Sequence, residues 1–497
     1  PLASVSDVSL AEQTATKQAP PNIVLIVADD LGYNDISLHG NALVRTPHID
    51  SIGRDGVRFL NGYSAHATCS PSRAAMMTGR FPSRFGYEYV ALPPVFKQAF
   101  DGTYPTEDVA VFREDIPPPS EDDPGLPTDE ITVAELLKAK GYRTALVGKW
   151  HLGGTPKTVP TARGFDEFVG ILGGGGMFSP KDDDWSVDAR LTWSGIDNFL
   201  WDRLPFVMID DGKPVTPPGY ITDVFGDRAV KFVRESADKP FFLFLSFTAP
   251  HNPLDAPRDI YDRLTHIKDH TQRVYVAMIE SMDAAIGRVL DTLNETGAAD
   301  NTLVIFTSDN GGAWYTNIPW HNLPYRGWKS GYFEGGIHVP LFARWPGKIQ
   351  PGSIVSDAVS GIDMMPTLAA VAGANPPDDR IIDGVNLVPS MTEGTSIPER
   401  SLYWAAGGYR ALRRGDWKLH DQKDPDHQRL FNLALDPTEQ VDLLDVEPEQ
   451  LKTLSAEMNR LVEQMRPPPP RQYRLKQRVG PYIGKPKASE QDWIWVN

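Results

Sequence analysis

Residues 21–30 read PNIVLIVADD, an unbroken apolar and largely β-branched run that stops at two carboxylates. A stretch with no polar alternation has no face to give to water, so it reads as a strand covered on both sides. The same grammar recurs three times. Thr132 and Glu135 have capping-box spacing for a helix running to Lys140, Gly141 stops it, and YRTALVGKWH follows as a strand ending in Lys149 and His151. A helix from about Asp223 to Ser236 leads into FFLFLSFTAPH, which delivers His251. A longer helix, about Gln272 to Asn294, carries Tyr275, Met278, Ile279, Met282, Ile286, Val289, Leu290 and Leu293 at helical spacing. Gly297 closes it, and NTLVIFTSDNGG is the next strand, ending in Asp309 and Asn310. Buried strands alternating with helices predict an α/β body: a mostly parallel central sheet flanked by helices on both faces.

In such sheets ligands bind beyond the carboxyl ends of the strands. Four strands here end in Asp29 with Asp30, Lys149 with His151, His251, and Asp309 with Asn310, and convergence on one site is the expectation. The Pro/Gly-rich acidic stretches at about 87–128 and 171–220 read as loops over the mouth of the sheet. Past about Arg400 the pattern changes to short strands and turns, which predicts a smaller antiparallel α+β unit. The expected organisation is a polar extension over 1–20, the main body over 21–395, the antiparallel subdomain over 396–465 and a Pro-rich arm over 466–497. That arm has seven basic and no acidic residues between Arg466 and Ser489, so it reads as an extended segment wrapping the body or a neighbouring copy in a homo-oligomer.

Composition narrows the function. The 49 basic and 65 acidic residues leave a net charge of −16, which argues against coating nucleic acid by bulk charge. The longest apolar runs are strand-sized, so no membrane span is expected. The chain opens on Pro1 and a polar segment to Ala19, read as a mature chain whose targeting signal has been removed. The single cysteine, Cys69, rules out an intramolecular disulfide framework and any zinc site built on several thiolates.

That cysteine stands in HATCSPSRAAMMTGR, residues 66–80. Pro71 suits a first helical turn, so Cys69 is expected just before a helix, where free N–H groups and the dipole favour an anion, with Arg73 adding fixed positive charge. Cys69-Ser70-Pro71-Ser72-Arg73, followed by Ala74, Thr78, Gly79 and Arg80, closely resembles the signature of the type I sulfatases of the alkaline-phosphatase-like superfamily. The resemblance runs from about residue 21 to 445. It includes Asp29-Asp30, GKWHLG at 148–153, GFDEF at 164–168, PHNP at 250–253, SDNGG at 308–312, RGWKSGYFEGG at 326–336, GDWKL at 415–419 and DPTEQ at 436–440.

Asp29, Asp30, Asp309 and Asn310 offer hard oxygen ligands, which suit calcium or magnesium over zinc. The resemblance implies one calcium ion, held by these four and residue 69, with Cys69 converted to formylglycine by a formylglycine-generating enzyme. It also implies Lys149, Lys329 and Arg73 as the clamp on sulfate and nucleophile oxygens. One hydroxyl of the aldehyde hydrate would attack sulfur, His251 would protonate the leaving alcohol and His151 would act as base or orient the hydrate. His338, where many relatives carry arginine, is expected to touch substrate together with Arg326, Trp320 and His321. Tyr87, Trp185, Trp193, Trp201, Trp314, Tyr315 and Trp320 are candidates for stacking on sugar rings. The expected substrate is a sulfated carbohydrate such as a carrageenan-type galactan, met in the periplasm or outside the cell. A phosphate or phosphonate ester hydrolase of the same superfold and an inactive glycan-binding relative stand as the alternatives.

Overall fold

A computed structural model describes residues 20–88, 90, 125–236, 238–406, 408–422 and 428–466, together with the backbone of short strands at 111–112, 473–478 and 493–496. The expectations for 1–19 and for most of the 87–128 loop and the terminal arm lie outside the described residues.

The main body is built from β1 (Asn22–Ala28), β2 (Val57–Tyr63), α1 (Cys69–Thr78), α2 (Val133–Ala139), β3 (Arg143–Lys149), β4 (Glu167–Ile171), β5 (Met208–Asp210), β6 (Lys213–Val215), α3 (Ile221–Arg234), β7 (Phe241–Ser246), α4 (His270–Glu295), β8 (Thr302–Ser308), β9 (Leu341–Arg344), β10 (Ser353–Ser360) and α5 (Met364–Val371). The strands form one ten-stranded sheet in the order β10-β2-β9-β8-β1-β7-β3-β4-β5-β6. Its centre, β8-β1-β7-β3-β4, is parallel, and antiparallel pairs join β9 to β8 and to β2 on one side and β5 to β4 and to β6 on the other.

β1 shows why the apolar run needed cover on both sides. Val24, Ile26 and Ala28 enter the core beneath α3 and α4, whereas Ile23, Leu25 and Val27 enter a second core beneath α1, α2 and α5. Burying the five side chains from Ile23 to Val27 is worth on the order of 10 kcal/mol. A slip of one residue would exchange the two sets between differently shaped cores, so the register is held from both faces.

That register aligns the strand ends. Ala28 lies opposite Ser308, Val27 opposite Ser246, and Gly148 opposite Ser246. The residues that follow, Asp29 with Asp30, Asp309 with Asn310, Lys149 with His151, and the turn to His251, therefore leave the sheet along one edge.

One stretch read as a loop carries more structure than expected. Within 171–220, Ser186–Ala189 pairs with Leu254–Pro257 as a ribbon, Gly195–Arg203 is helical, and β5 with β6 extend the main sheet. Three- and four-residue strands are too short to show a period.

The C-terminal unit is a four-stranded antiparallel sheet of β11 (Ser401–Ala406), β12 (Tyr409–Arg414), β13 (Trp417–Gln422) and β14 (Arg429–Asn432), with α6 (Pro448–Val462) packed on it. Its core includes Tyr63, Ala67, Phe81 and Tyr332 of the main body, so the subdomain is docked rather than tethered.

Candidate active site

Cys69 is the first residue of α1, preceded by Thr68 in extended conformation. Its thiol is buried, with Sγ 3.7 Å from Asp30 Oδ1. Burial raises its pKa well above the ordinary thiol value: Lys149 and Lys329 favour the thiolate, but Asp309 and Asp29 work against it. An unconverted Cys69 is thus a protonated, weakly nucleophilic group.

The acidic residues and the cations alternate around it. Lys149 Nζ donates to Asp29 Oδ2 at 2.6 Å, and Lys329 Nζ donates to Asp30 Oδ2 at 2.7 Å. Arg73 Nε donates to Asp309 Oδ2 at 2.8 Å, and Nη1 of the same guanidinium reaches the Lys149 carbonyl and Ser246 Oγ. The backbone N–H of Asp30 donates to Asp309 Oδ1 at 3.2 Å, and Asn310 Nδ2 donates to Asp30 Oδ1 at 2.7 Å. Burial disfavours the charge on Asp30, but Lys329, His251 and Lys149 outweigh it and hold the carboxyl below the usual range. Burial likewise works against Lys329, and Asp30 with Cys69 overcomes it, raising that pKa well above the ordinary lysine value.

The residues fit a hard divalent cation. Ligand atoms of Asp29, Asp30, Cys69 and His251 all lie within 4.8 Å of one another. Asp29 Oδ1 and Asn310 Oδ1 are buried without a hydrogen-bond partner, which is costly unless something electropositive sits against them. Asp309 is pushed up to about 6 by burial and by Asp29, a repulsion that a cation relieves. Asp30 and His151 adopt left-handed backbone conformations, φ 61° and 59°, at the two sharp exits from the sheet. Such conformations on non-glycine residues cost on the order of 1–3 kcal/mol and persist where surrounding contacts over-determine them.

Both histidines face this cluster. His251 Nε2 lies 3.5 Å from Asp30 Oδ2, and its Nδ1 is held at 2.5 Å by the Asn252 carbonyl, which assigns the Nδ1 proton. Burial and then Lys329 push His251 down to about 3. Burial, Lys149 and Arg73 push His151 well below its ordinary value. Against both rings lies the run Gly173–Gly176: a Cβ on Gly174 would come within 2.9 Å of His151 Cε1 and Nε2, and one on Gly175 within 3.9 Å of His251 Cε1.

Ten expected site residues are therefore brought together: Asp29, Asp30, Cys69, Arg73, Lys149, His151, His251, Asp309, Asn310 and Lys329. The four expected substrate contacts have polar groups that bond within the protein. His338 is 2% exposed and bridges Glu334 and the Leu60 carbonyl. Arg326 donates to the Glu439 carbonyl and stacks over Phe333. His321 is sealed between Asp35 and Thr316, and Trp320 packs in the core with its indole N–H on Gln272. Of the aromatic candidates, Tyr87 and Trp201 are also buried, Tyr87 sharing a hydrogen bond with Ser70 Oγ.

Sequence reading missed three contributors. Tyr315, expected as a stacking ring, points its hydroxyl at Asp30 Oδ2, 3.3 Å away. Ser246 ends β7 as the other site residues end their strands, but a serine there carries no charge to flag it. The four consecutive glycines were visible, and only the fold shows what they lie against.

Paired carboxylates, three buried cations, two neutral histidines and a helix N-terminus at one sheet edge define a hydrolase of anionic esters. A protein-family model described as Sulfatase matches residues 21–374, and one described as N-sulphoglucosamine sulphohydrolase, C-terminal, matches residues 327–467. The chain belongs to the sulfatase family, within the alkaline phosphatase-like superfamily, and is an enzyme that hydrolyses sulfate esters. It is 32% identical over 407 residues to the N-acetylgalactosamine-6-sulfatase of Mus musculus, covering 81% of this chain and 72% of that one. It is 35% identical over 478 residues to the steryl-sulfatase of Rattus norvegicus, covering 84% and 78%. The crystal structure of Ps i-CgsB in complex with k-i-k-neocarrahexaose superposes with a TM-score of 0.76 at 32% identity, covering 90% of this chain and 94% of that one.

Proposed function

We propose that this sulfatase removes sulfate from a sulfated carbohydrate, using a formylglycine made from Cys69 and a calcium ion held by Asp29, Asp30, Asp309, Asn310 and residue 69. The observation that carries the mechanism is the position of Cys69, buried at a helix N-terminus amid carboxylates and cations with its Sγ 3.7 Å from Asp30 Oδ1. The carbohydrate reading is supported by likeness to a structure holding a neocarrahexaose and to an N-acetylgalactosamine-6-sulfatase. Conversion of Cys69 makes a formylglycine-generating enzyme the maturation partner, and a periplasmic or extracellular location suits a polysaccharide substrate.

The aldehyde hydrate supplies an oxygen nucleophile for sulfur and a second hydroxyl whose deprotonation lets sulfate leave. Calcium supplies charge neutralisation of the sulfate and nucleophile oxygens. The remaining work falls to side chains already in place. Lys149, Lys329 and Arg73 are held by carboxylates around the nucleophile and offer their remaining N–H groups to sulfate oxygens. A sulfate ester brings a negative charge against Lys329, offsetting one of the effects that keep His251 neutral. With its Nδ1 proton on the Asn252 carbonyl, neutral His251 would take at Nε2 the proton that the attacking hydroxyl sheds as it bonds to sulfur and pass it to the departing alcohol oxygen. His151, neutral and pressed by the glycine run, takes the proton of the second hydroxyl.

Two measurements on one preparation test this. Mass spectrometry of the peptide containing Cys69 should show an aldehyde in proportion to activity, and full activity without aldehyde would refute the formylglycine route. Matched aryl esters should lose sulfate far faster than phosphate; a strong preference for phosphate would favour the phosphate or phosphonate ester hydrolase instead.

A further inference from the structure

A line of three aromatic rings leads out of the site with rising exposure. Tyr315 is buried, its hydroxyl against Asp30 and Lys329. The Trp314 ring lies 6.1 Å from the Tyr315 ring and is half-buried. The Trp193 ring lies 6.3 Å beyond, tilted 46° to Trp314, and is 51% exposed.

Neither tryptophan hangs on a free loop. Trp314 opens the short helical turn Trp314–Thr316 that follows Asp309-Asn310-Gly311-Gly312, so the turn that places Tyr315 on Asp30 also places Trp314. Trp193 directly precedes Ser194, the cap of the Gly195–Arg203 helix, where Ser194 Oγ accepts from the Asp197 N–H. Asp197 Oδ1 in turn accepts from Asn252 Nδ2 at 2.9 Å, and the Asn252 carbonyl holds His251. Both indoles are therefore referenced to residues at the reacting centre, one through Asp30 and the other through His251. Leaving half of an indole in water gives up burial that a core position would gain, and tryptophan so placed serves surfaces that meet a partner.

We infer that Trp193 and Trp314 form a stacking platform for a sugar ring adjacent to the sulfated one, a subsite that selects oligosaccharides over small sulfate esters. The inference rests on the carbohydrate reading above and deepens it. Exposed Asn317 beside Trp314, and Thr192 with Asn198 beside Trp193, flank the rings with hydroxyl and amide groups, which suit the rim of a sugar whose C–H face lies on an indole. A sterol would need a continuous apolar trough, and two tilted indoles between polar side chains do not make one.

The test compares the enzyme with Trp193→Ala, Trp314→Ala and Trp193→Phe on a sulfated carrageenan hexasaccharide, p-nitrophenyl sulfate and a steryl sulfate. For each alanine variant, KM for the hexasaccharide should rise roughly tenfold with kcat changed much less, so its preference over p-nitrophenyl sulfate falls by the same factor. Trp193→Phe should recover most of that loss, which a fold defect would not. If the unaltered enzyme desulfates the hexasaccharide and the alanine variants keep its preference, the platform is refuted and the carbohydrate reading stands. If the unaltered enzyme desulfates the steryl sulfate but not the hexasaccharide, the carbohydrate reading fails, and the platform with it.

Discussion

His151 is a side chain whose position depends on what its neighbour lacks. Its backbone is held in the left-handed region at φ 59°, and its carbonyl accepts from Ser70 Oγ at 2.7 Å. The ring then meets Gly174, where a β-carbon would lie 2.9 Å from two ring atoms. Gly174 itself does not have a positive φ, so alanine is permitted by its backbone and the collision is the whole effect. Gly174→Ala should turn the His151 ring off its rotamer at about 1 kcal/mol, lowering kcat roughly tenfold while KM and thermal stability change little. Steady-state kinetics on an aryl sulfate with a melting curve would check this. A variant with full kcat would show that the His151 ring position does not matter to turnover. The sequence displayed the four glycines plainly, but a glycine run has no direction until the strands beside it are arranged. The same holds for His338: its place where many relatives carry arginine suggested a substrate contact, and the fold holds it on Glu334.

At the scale of elements, α4 shows what hydrophobic spacing reveals and what it hides. Its apolar positions marked a helix from about 272 to 294, and the helix runs from His270 to Glu295. Spacing also foretold β1, β3, β7 and β8, because strands covered on both faces leave an unbroken apolar signature. It said nothing of Asp283, which sits within that helix yet is buried. Asp283 Oδ1 accepts the N–H groups of Ile49 at 2.8 Å and His48 at 3.1 Å, pinning the start of the Pro47–Arg54 helix to α4. Burial, with Asp50 and Glu280 adding repulsion, raises its pKa to about 7 despite those donors. An unfolded aspartate loses its proton near pH 4, so between about 4 and 7 the folded protein holds a proton that the unfolded chain has released. That contribution to stability is complete below pH 4, declines as pH rises and is gone above 7. Asp283→Asn keeps an acceptor oxygen and carries no charge to desolvate. Denaturant unfolding should find the variant more stable than the parent at pH 8 by at least about 1 kcal/mol, with the difference shrinking toward pH 4. A variant less stable at pH 8 would mean that the charged carboxylate is favoured there.

At the scale of the whole molecule, the C-terminal sheet is tied to the segment that follows Lys329, although none of its described residues belongs to the cluster around Cys69. The segment after Lys329 turns inward at Glu334, which is nearly sealed from water. There Lys418 Nζ of β13 donates to Glu334 Oε1 at 2.7 Å and lies 3.0 Å from Glu439 Oε1, while Glu439 Oε2 accepts the Glu334 N–H at 2.6 Å. Tyr63 of β2 donates to Glu334 Oε2 at 2.6 Å, and the Arg326 guanidinium reaches the Glu439 carbonyl. The GDWKL and DPTEQ segments that the sequence singled out thus meet the EGG segment, and their part here is to hold the turn that carries Lys329. An ion pair this deeply buried adds little net stability when intact, but removing one partner strands the others in a low-dielectric interior. Lys418→Met leaves Glu334 and Glu439 facing each other without their shared cation and should cost about 3–5 kcal/mol in denaturant unfolding. Because the strain falls on the turn between Glu334 and Lys329, activity should also drop at temperatures where the variant is still fully folded by circular dichroism. Unfolding within 1 kcal/mol of the parent would show that the cluster is not the clamp. A large loss of stability with full activity in the folded state would show that the Lys329 turn is held from the main body alone.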